Sequence, residues 1–532
     1  MENENKIYEQ EQLPPQMPWQ GVMPPMMGAP RKKRTWKENL MRNYGGGMQE
    51  VLTQKDLRVP NWLVGKSVLF FFIAYFACRF AFGYPQPTDI FLVASISVIL
   101  FFYGTSLFAK SWSRRRENTF LKNVFWTGFV IRFIWICYLY FIFNPAYYGS
   151  AVGSGADTGW YMNFAHDIAE WLRNGMTTPY NSLMKKYDSA IDDTGYPTWL
   201  GVVYLFTFDT SDVFIPFVLK CVLGAYCAIS IYRVAKRHFG TATARMTALF
   251  CMLNPNMIYW CGSMMKEAEM VFLCCLFLEK TDFTLSTSNK LGFRELIPGM
   301  LIGLALTFIR VPLGLVAFLA IFAHIVFVSH KVMSNGKKIL AGVLVAATLF
   351  LGVGDRFIAQ SREHLDNVER GGQHQNMEWR STREGGNSFA KYAGAAVFAP
   401  LIFTIPFPTF NQANAEQTVQ PITSGGSYIR NVLSLFVILV MIMLLVSGEW
   451  RKHVFILAYT VGYLVVLVFS GYAQSGRFHM PIWPMIMLFA AYGIQLLKDN
   501  KRIKAGYNMV LVLEVAVCLA WNWFKLKGRG MI

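Results

Sequence analysis

Apolar runs of about 20 residues, the length that crosses the hydrocarbon core of a bilayer as a helix, recur through most of this 532-residue chain. About 13 candidates stand out, at 61–83, 88–109, 123–144, 213–235, 242–261, 267–279 with its flanks, 296–309, 311–329, 338–354, 431–447, 453–471, 481–497 and 506–524. The shorter ones are expected to tilt or enter at an angle. Charged residues are only 15% of the chain, against about 25% in ordinary globular proteins. That is too little polar surface for a large water-facing body, so a soluble enzyme, a disordered regulator and a secreted disulfide scaffold are excluded. The expected fold class is an all-α polytopic membrane protein, with two large outer loops that carry interfacial helices.

Charge supports this topology. Fifty Lys and Arg against 32 Asp and Glu give a net +18, a surplus that positive-inside loops of a many-span protein explain without nucleic acid. With the N-terminus cytoplasmic, the connections 111–123, 235–240, 279–295, 329–338, 448–453 and 498–505 all fall inside. The basic C-terminus, with Lys525, Lys527 and Arg529, is the exception and falls outside. All nine cysteines lie in or beside apolar runs, so no disulfide framework is expected. Residues 1–60 are polar and rich in Gln, Pro and Met, and read as a disordered basic cytoplasmic tail without the apolar core of a cleavable signal.

The outer loops span 145–212 and 355–430. In the first, Trp160, Phe164, Ile168, Trp171 and Leu172 recur at helical spacing, opposite Asn163, His166, Asp167, Glu170 and Arg173. This predicts an amphipathic helix on the membrane surface, with Gly175 as its stop and Asp157 just before its first turn. Asp157 there reads either as a helix cap or as a carboxylate that takes a proton from an acceptor hydroxyl or holds a divalent cation. In the second loop, the apolar stretch 393–407 is interrupted by Pro400 and Pro406 and reads as interfacial or re-entrant. Arg310 with Pro312 marks a helical hairpin turning at the outer face. Arg310, Arg477, His479 and Lys266 would form a set of outer-face cations able to grip a lipid-linked phosphate or ordinary membrane lipid headgroups. Arg132, Lys220 and Glu514 lie deeper in their runs, which predicts partners on neighbouring helices or an ion path. No Walker or dinucleotide-type glycine loop occurs.

Taken in order, the segments Ala156-Asp157-Thr158-Gly159-Trp160, Gly195-Tyr196-Pro197, Leu253-Asn254-Pro255-Asn256, Met264-Met265-Lys266-Glu267, Ser475-Gly476-Arg477-Phe478-His479 and Ala490-Ala491-Tyr492-Gly493 resemble the GT-C superfamily of polyprenyl-phosphate-sugar-dependent glycosyltransferases. The nearest resemblance is to the family-39-like group of aminoarabinose transferases and protein O-mannosyltransferases. It covers roughly 123–330 and the region 477–493. It implies a GT-C-like core over 123–354, preceded by two extra leading helices in 61–122 and followed by C-terminal helices in 431–532. It implies Asp157 and Glu267 as catalytic carboxylates, Asp157 as the ligand if a divalent cation (Mg or Mn) takes part, and Tyr161, His166, Lys266, Arg310, Arg477 and His479 as substrate contacts. Lys266 beside Glu267 is a departure from several relatives, which have a lone acidic residue there. The implied partners are a polyprenyl-phosphate sugar donor and a glycan, lipid or protein acceptor. The implied location is the cytoplasmic (inner) membrane of a bacterium, with the site facing the periplasm. A polysaccharide polymerase or ligase, using the arginines of 355–430, and a lipid-linked glycan flippase or secondary transporter are the alternatives.

Overall fold

The computed structural model describes residues 57–328 and 377–532, apart from 84–87, 154–155, 188, 190–192, 208–212, 288–292, 379–380, 383–385, 393, 411–418, 471–472 and 474. The N-terminal tail up to residue 56, the candidate span 338–354 and Asp188, Asp192, Arg356, Arg362, Arg370, Arg380 and Arg383 therefore lie outside the described residues. Among the described residues all regular structure is helical, and eight helices are long and apolar enough to cross a membrane. Their outward faces carry bare apolar side chains such as Phe80, Leu107, Ile134 and Leu513, as the lipid-facing side of a spanning helix does. The chain is a multi-pass membrane protein.

The bundle runs α1 (Asn61–Phe82), α2 (Phe91–Trp112), α3 (Glu117–Tyr148), the loop helices α4 (Ala156–Arg173), α5 (Tyr180–Lys186) and α6 (Gly195–Thr207), α7 (Phe214–Leu253), the short α8 (Pro255–Tyr259), α9 (Glu267–Thr287), α10 (Phe293–Ile309), α11 (Val311–Val328), α12 (Val419–Ser447), α13 (Val454–Ser470), α14 (Trp483–Leu497) and α15 (Lys501–Lys527). The runs read as separate spans at 213–235 and 242–261 belong largely to α7, which bends back at Gly240 (φ 82°, ψ 177°). Only glycine adopts that backbone without strain. Arg310 sits between α10 and α11, as the hairpin reading expected. Gly314 meets Thr307 across that hairpin so closely that a Cβ would lie 2.0 Å from its Oγ1.

The buried charges have structural partners. Arg132 donates from Nη1 to the carbonyls of Gly128 (3.0 Å) and Met252 (3.2 Å), and from Nη2 to that of Cys251 (3.3 Å). It thus satisfies the last turn of α7, whose terminal carbonyls have no intrahelical donor. Gly224 makes room for it, since a Cβ there would stand 2.8 Å from Arg132 Nε. Lys220 pairs with Glu269 at 3.1 Å, donates to the Met265 carbonyl at 2.6 Å and lies 4.7 Å from the Tyr196 ring centre. Glu514 is buried and accepts from Cys518 Sγ at 3.5 Å. Because both members of the Lys220–Glu269 pair are almost fully buried, Glu269→Ala is expected to cost about 3–5 kcal/mol by stranding a charge. Thermal melts in detergent check this. The double variant Lys220→Met, Glu269→Leu is expected to regain most of the loss, and equal melts for the single and double variants would contradict it.

The two ends of the bundle differ. At one end, short basic connections are laced by Arg233–Glu279 and Lys236–Glu117 (both 2.6 Å), Arg237–Asp282 (2.6 Å), His238–Asp282 (2.7 Å) and His238–His453 (2.8 Å). The other end carries α4, α5 and α6 and the described part of the second loop. The apolar face of α4 is covered by protein: Phe164 and Ile168 pack with Met184 of α5, and Ala165 and Ala169 pack with Tyr196, Leu200 and Tyr204 of α6. Gly201 allows that approach, because a Cβ there would lie 2.9 Å from the Ala165 carbonyl. Within 394–407 the chain forms short helical turns and irregular backbone. Arg430 satisfies the irregular part by donating to the carbonyls of Ile402 (2.8 Å) and Ile405. Asn387 reaches the Phe524 carbonyl at 3.3 Å, the Ser388 amide reaches that of Gly528 at 2.7 Å, and Lys525 reaches Thr409 Oγ1 at 2.8 Å. The C-terminus of α15 is therefore fastened at the same end as α4.

Candidate active site

Three segments distant in sequence meet at this end. Asp157 lies in the first turn of α4, a residue further into the helix than its spacing suggested. Glu267 opens α9 after the α7–α8 break, and its charge suits the positive end of a helix dipole. Arg477 comes from the turn between α13 and α14. Its Nε donates to Glu267 Oε1, and its Nη1 donates to Asp157 Oδ2 at 2.6 Å. Side-chain exposure grades outward from 0% at Glu267 through 19% at Arg477 to 53% at Asp157. Burial alone would depress the Arg477 pKa, but the carboxylates of Glu267 and Asp157 outweigh it and hold the guanidinium above its ordinary range. Arg477 is thus a permanent cation, anchored inside by Glu267 and presenting Asp157 at the surface.

A second group adjoins the first. Lys266 donates to Asp193 and to the Ile309 carbonyl at 2.8 Å, and Tyr161 donates to Asp193 Oδ1 at 3.2 Å. Burial, reinforced by the Asp193 and Glu267 charges, pushes the Tyr161 phenol well above its usual range. Tyr161 therefore stays a neutral hydrogen-bond donor. Arg310 lies 4.4 Å from the ring centre of Phe478, the residue after Arg477. A cavity of about 500 Å³ opens beside Arg477, with Asn256, Trp260, Ser427, Phe478 and Lys525 among its walls.

Of the residues expected to form the site, Asp157, Glu267 and Arg477 are joined directly, and Tyr161, Lys266 and Arg310 surround them. His166 and His479 are not brought there. His166 is half exposed, with Nδ1 3.9 Å from Glu170. Together with Asp167 these two residues present oxygen and nitrogen atoms within 4.8 Å of one another, but Asp167 is already engaged by Lys186 and by Tyr187 (2.8 Å). His479 is fully buried, bonded through Nδ1 to Arg430 and through Nε2 to the Ala473 carbonyl. Burial and the adjacent Arg430 charge drive its pKa well below the usual value. It is a neutral brace for the turn that carries Arg477. Asp193, Asn256, Lys525 and Arg529 were not singled out as site residues from sequence. The one signal for the last two was that their basic segment broke the charge rule of the other connections.

The Arg477 guanidinium stands between the Asp157 and Glu267 carboxylates and supplies positive charge to both. The second oxygen of Glu267, Oε2, is buried with no hydrogen-bond partner among the described residues. Such an atom costs about 1–3 kcal/mol.

No protein-family model and no curated protein matches this sequence. Among solved structures the chain is similar to the archaeal oligosaccharyltransferase AglB from Archaeoglobus fulgidus, in complex with an inhibitory peptide and a dolichol-phosphate. The match has 12% identity and a TM-score of 0.39, covering 79% of this chain and 55% of that one. The chain thus spans about half the length of that structure, and a likeness at this level carries no argument for activity.

Proposed function

We propose that this protein is a GT-C-type, family-39-like glycosyltransferase that moves a sugar from a polyprenyl-phosphate donor to an acceptor hydroxyl, with inversion at the anomeric carbon. The observation that carries the reading is the convergence of Asp157, Glu267 and Arg477, from three remote segments, on one ion-pair network beside a cavity at one end of the apolar bundle. Asp157 Oδ2 is occupied by Arg477, and the half-exposed carboxylate has its other oxygen available for a proton. In the proposed step Asp157 takes the proton of the acceptor hydroxyl while the acceptor oxygen bonds to the anomeric carbon. The bond from that carbon to the phosphate oxygen breaks on the opposite face, and the electron pair leaves with the lipid phosphate. Arg310 and Lys266 suit that phosphate as charged hydrogen-bond donors. Glu267 acts on Asp157 through Arg477 and is in this scheme a positioning residue. The membrane is proposed to be a bacterial cytoplasmic membrane, with this end facing outward.

The rival transporter reading loses two of its supports, because Arg132 and Lys220 are consumed by a helix terminus and by Glu269. The test is turnover of synthetic polyprenyl-phosphate sugars by purified protein in detergent, with simple glycan, lipid and peptide acceptors. The expected product carries the anomeric configuration opposite to that of the donor, read by NMR. Retention of configuration would contradict the direct displacement at Asp157.

A further inference from the structure

Arg430 of α12 is a fully buried guanidinium that joins two remote segments. Its Nη2 donates to the carbonyl of Ile402 at 2.8 Å and its Nη1 to that of Ile405, both in the second outer loop. The same Nη1 donates to Nδ1 of His479, in the turn that carries Arg477. Each of these acceptors is neutral. A buried cation without a carboxylate partner adds little stability for the water it gives up, which leaves what it joins as its contribution.

The hydrogen bonds fix the state of His479. A guanidinium has donors only, so Nδ1 accepts and the ring proton sits on Nε2. Nε2 in turn donates to the Ala473 carbonyl. The neutral, fully buried ring therefore has one nitrogen committed to Arg430 and the other to the start of its own turn. The loop and the turn also touch directly, since a Cβ on Gly476 would stand 3.5 Å from Pro406 Cγ. Pro406 and Phe407 from the loop line the same cavity as Arg477 and Phe478 from the turn. Tyr463 of α13 holds the turn separately, donating to the Phe478 carbonyl at 2.8 Å.

We infer that Arg430 and His479 are positioning residues: through the bond between them, the second outer loop fixes the turn that aims Arg477 at Asp157. This deepens the glycosyltransferase reading, on which its kinetic part rests, by making the segment 394–407 a working part of the site. Neither side chain touches the reacting groups in this scheme. Arg477 Nη1 holds Asp157 Oδ2 at 2.6 Å, so a small rotation of the turn lengthens that bond and takes the base out of line with the acceptor hydroxyl. The competing role for His479 is local, closing its own turn onto Ala473 with no part for the loop.

Two variants separate the two bonds of His479. In His479→Asn the amide oxygen takes the place of Nδ1 and keeps the acceptor for Arg430. In His479→Gln the amide nitrogen takes the place of Nε2 and keeps the donor to Ala473. His479→Asn is expected to keep kcat within about threefold of wild type, and His479→Gln to lose about tenfold with KM for the donor little changed. The reverse order is the signature of the local role and overturns the inference, as does equal activity of the two variants. The second measurement is hydrogen exchange by mass spectrometry on purified full-length protein in detergent, without substrate. In His479→Gln the amides of 475–480 are expected to exchange about tenfold faster than in wild type, with those of 233–239 unchanged. Arg430→Met, which also releases the Ile402 and Ile405 carbonyls, is expected to speed exchange in 394–407 and 475–480 together. Should Arg430→Met fold poorly, His479→Gln decides alone, and wild-type exchange at 475–480 overturns the inference. Exchange is read without turnover, so the two readings fail separately. Faster exchange with full activity in His479→Gln removes only this inference, whereas the expected exchange pattern without turnover of any donor counts against the transferase alone.

Discussion

Asp157→Asn is expected to lower turnover roughly a thousandfold, in the middle of the range for loss of a general base, while leaving the protein folded. Asparagine keeps the shape of the side chain and its hydrogen bond from Arg477, but it cannot accept the acceptor proton. The cost in stability is expected to be small. Asp157 is 53% exposed, and an ion pair that open to solvent contributes about 1 kcal/mol or less. The measurement is single-turnover kinetics alongside thermal melts in the same detergent. A variant that melts like wild type and has lost activity fits a catalytic carboxylate. A fully active one leaves Asp157 as a carboxylate that only complements the N-terminal dipole of α4 and pairs with Arg477.

Arg477→Ala is expected to be the most destabilising single change at this end of the bundle. Among the described residues it removes the only cation bonded to Glu267, whose side chain is fully buried and whose second oxygen already lacks a partner there. Stranding such a charge costs about 3–5 kcal/mol, and the loosened turn would also release Asp157. Arg477→Lys is expected to recover little, since one ammonium cannot reproduce the two-way fork that holds both carboxylates. The informative partner is Arg477→Met with Glu267→Leu. That pair should regain most of the melting temperature and none of the activity, which separates what the network does for folding from what it does for the reaction. A melt of Arg477→Ala equal to wild type would show that the Glu267 pairing contributes nothing to stability.

The membrane-protein class was legible in the apolar runs because lipid demands length and hydropathy, and both are local properties of a sequence. The hairpin at Arg310 was legible for a similar reason: a charge followed by proline cannot idly interrupt a span. Asp157, Glu267 and Arg477 were picked out by the order of short segments. Their joining into one network was not visible, since they are separated by 110 and 210 positions along the chain. His479 shows the limit of that reading. It lies two residues from Arg477 in the same turn, yet it points inward to Arg430 and the Ala473 carbonyl.

The sequence by itself determined that the chain lives in a bilayer, where its turns fall, and which charges have to be explained. Tertiary structure decided the explanation for each. Arg132 became a cap for α7, Lys220 the partner of Glu269, and Arg477 the bridge between Asp157 and Glu267. It also decided that the basic end of α15 belongs beside Arg477 and Asn256. The physical reason is that a buried charge must find its counter-charge or carbonyl wherever packing brings one, and packing joins residues without regard to their distance along the chain.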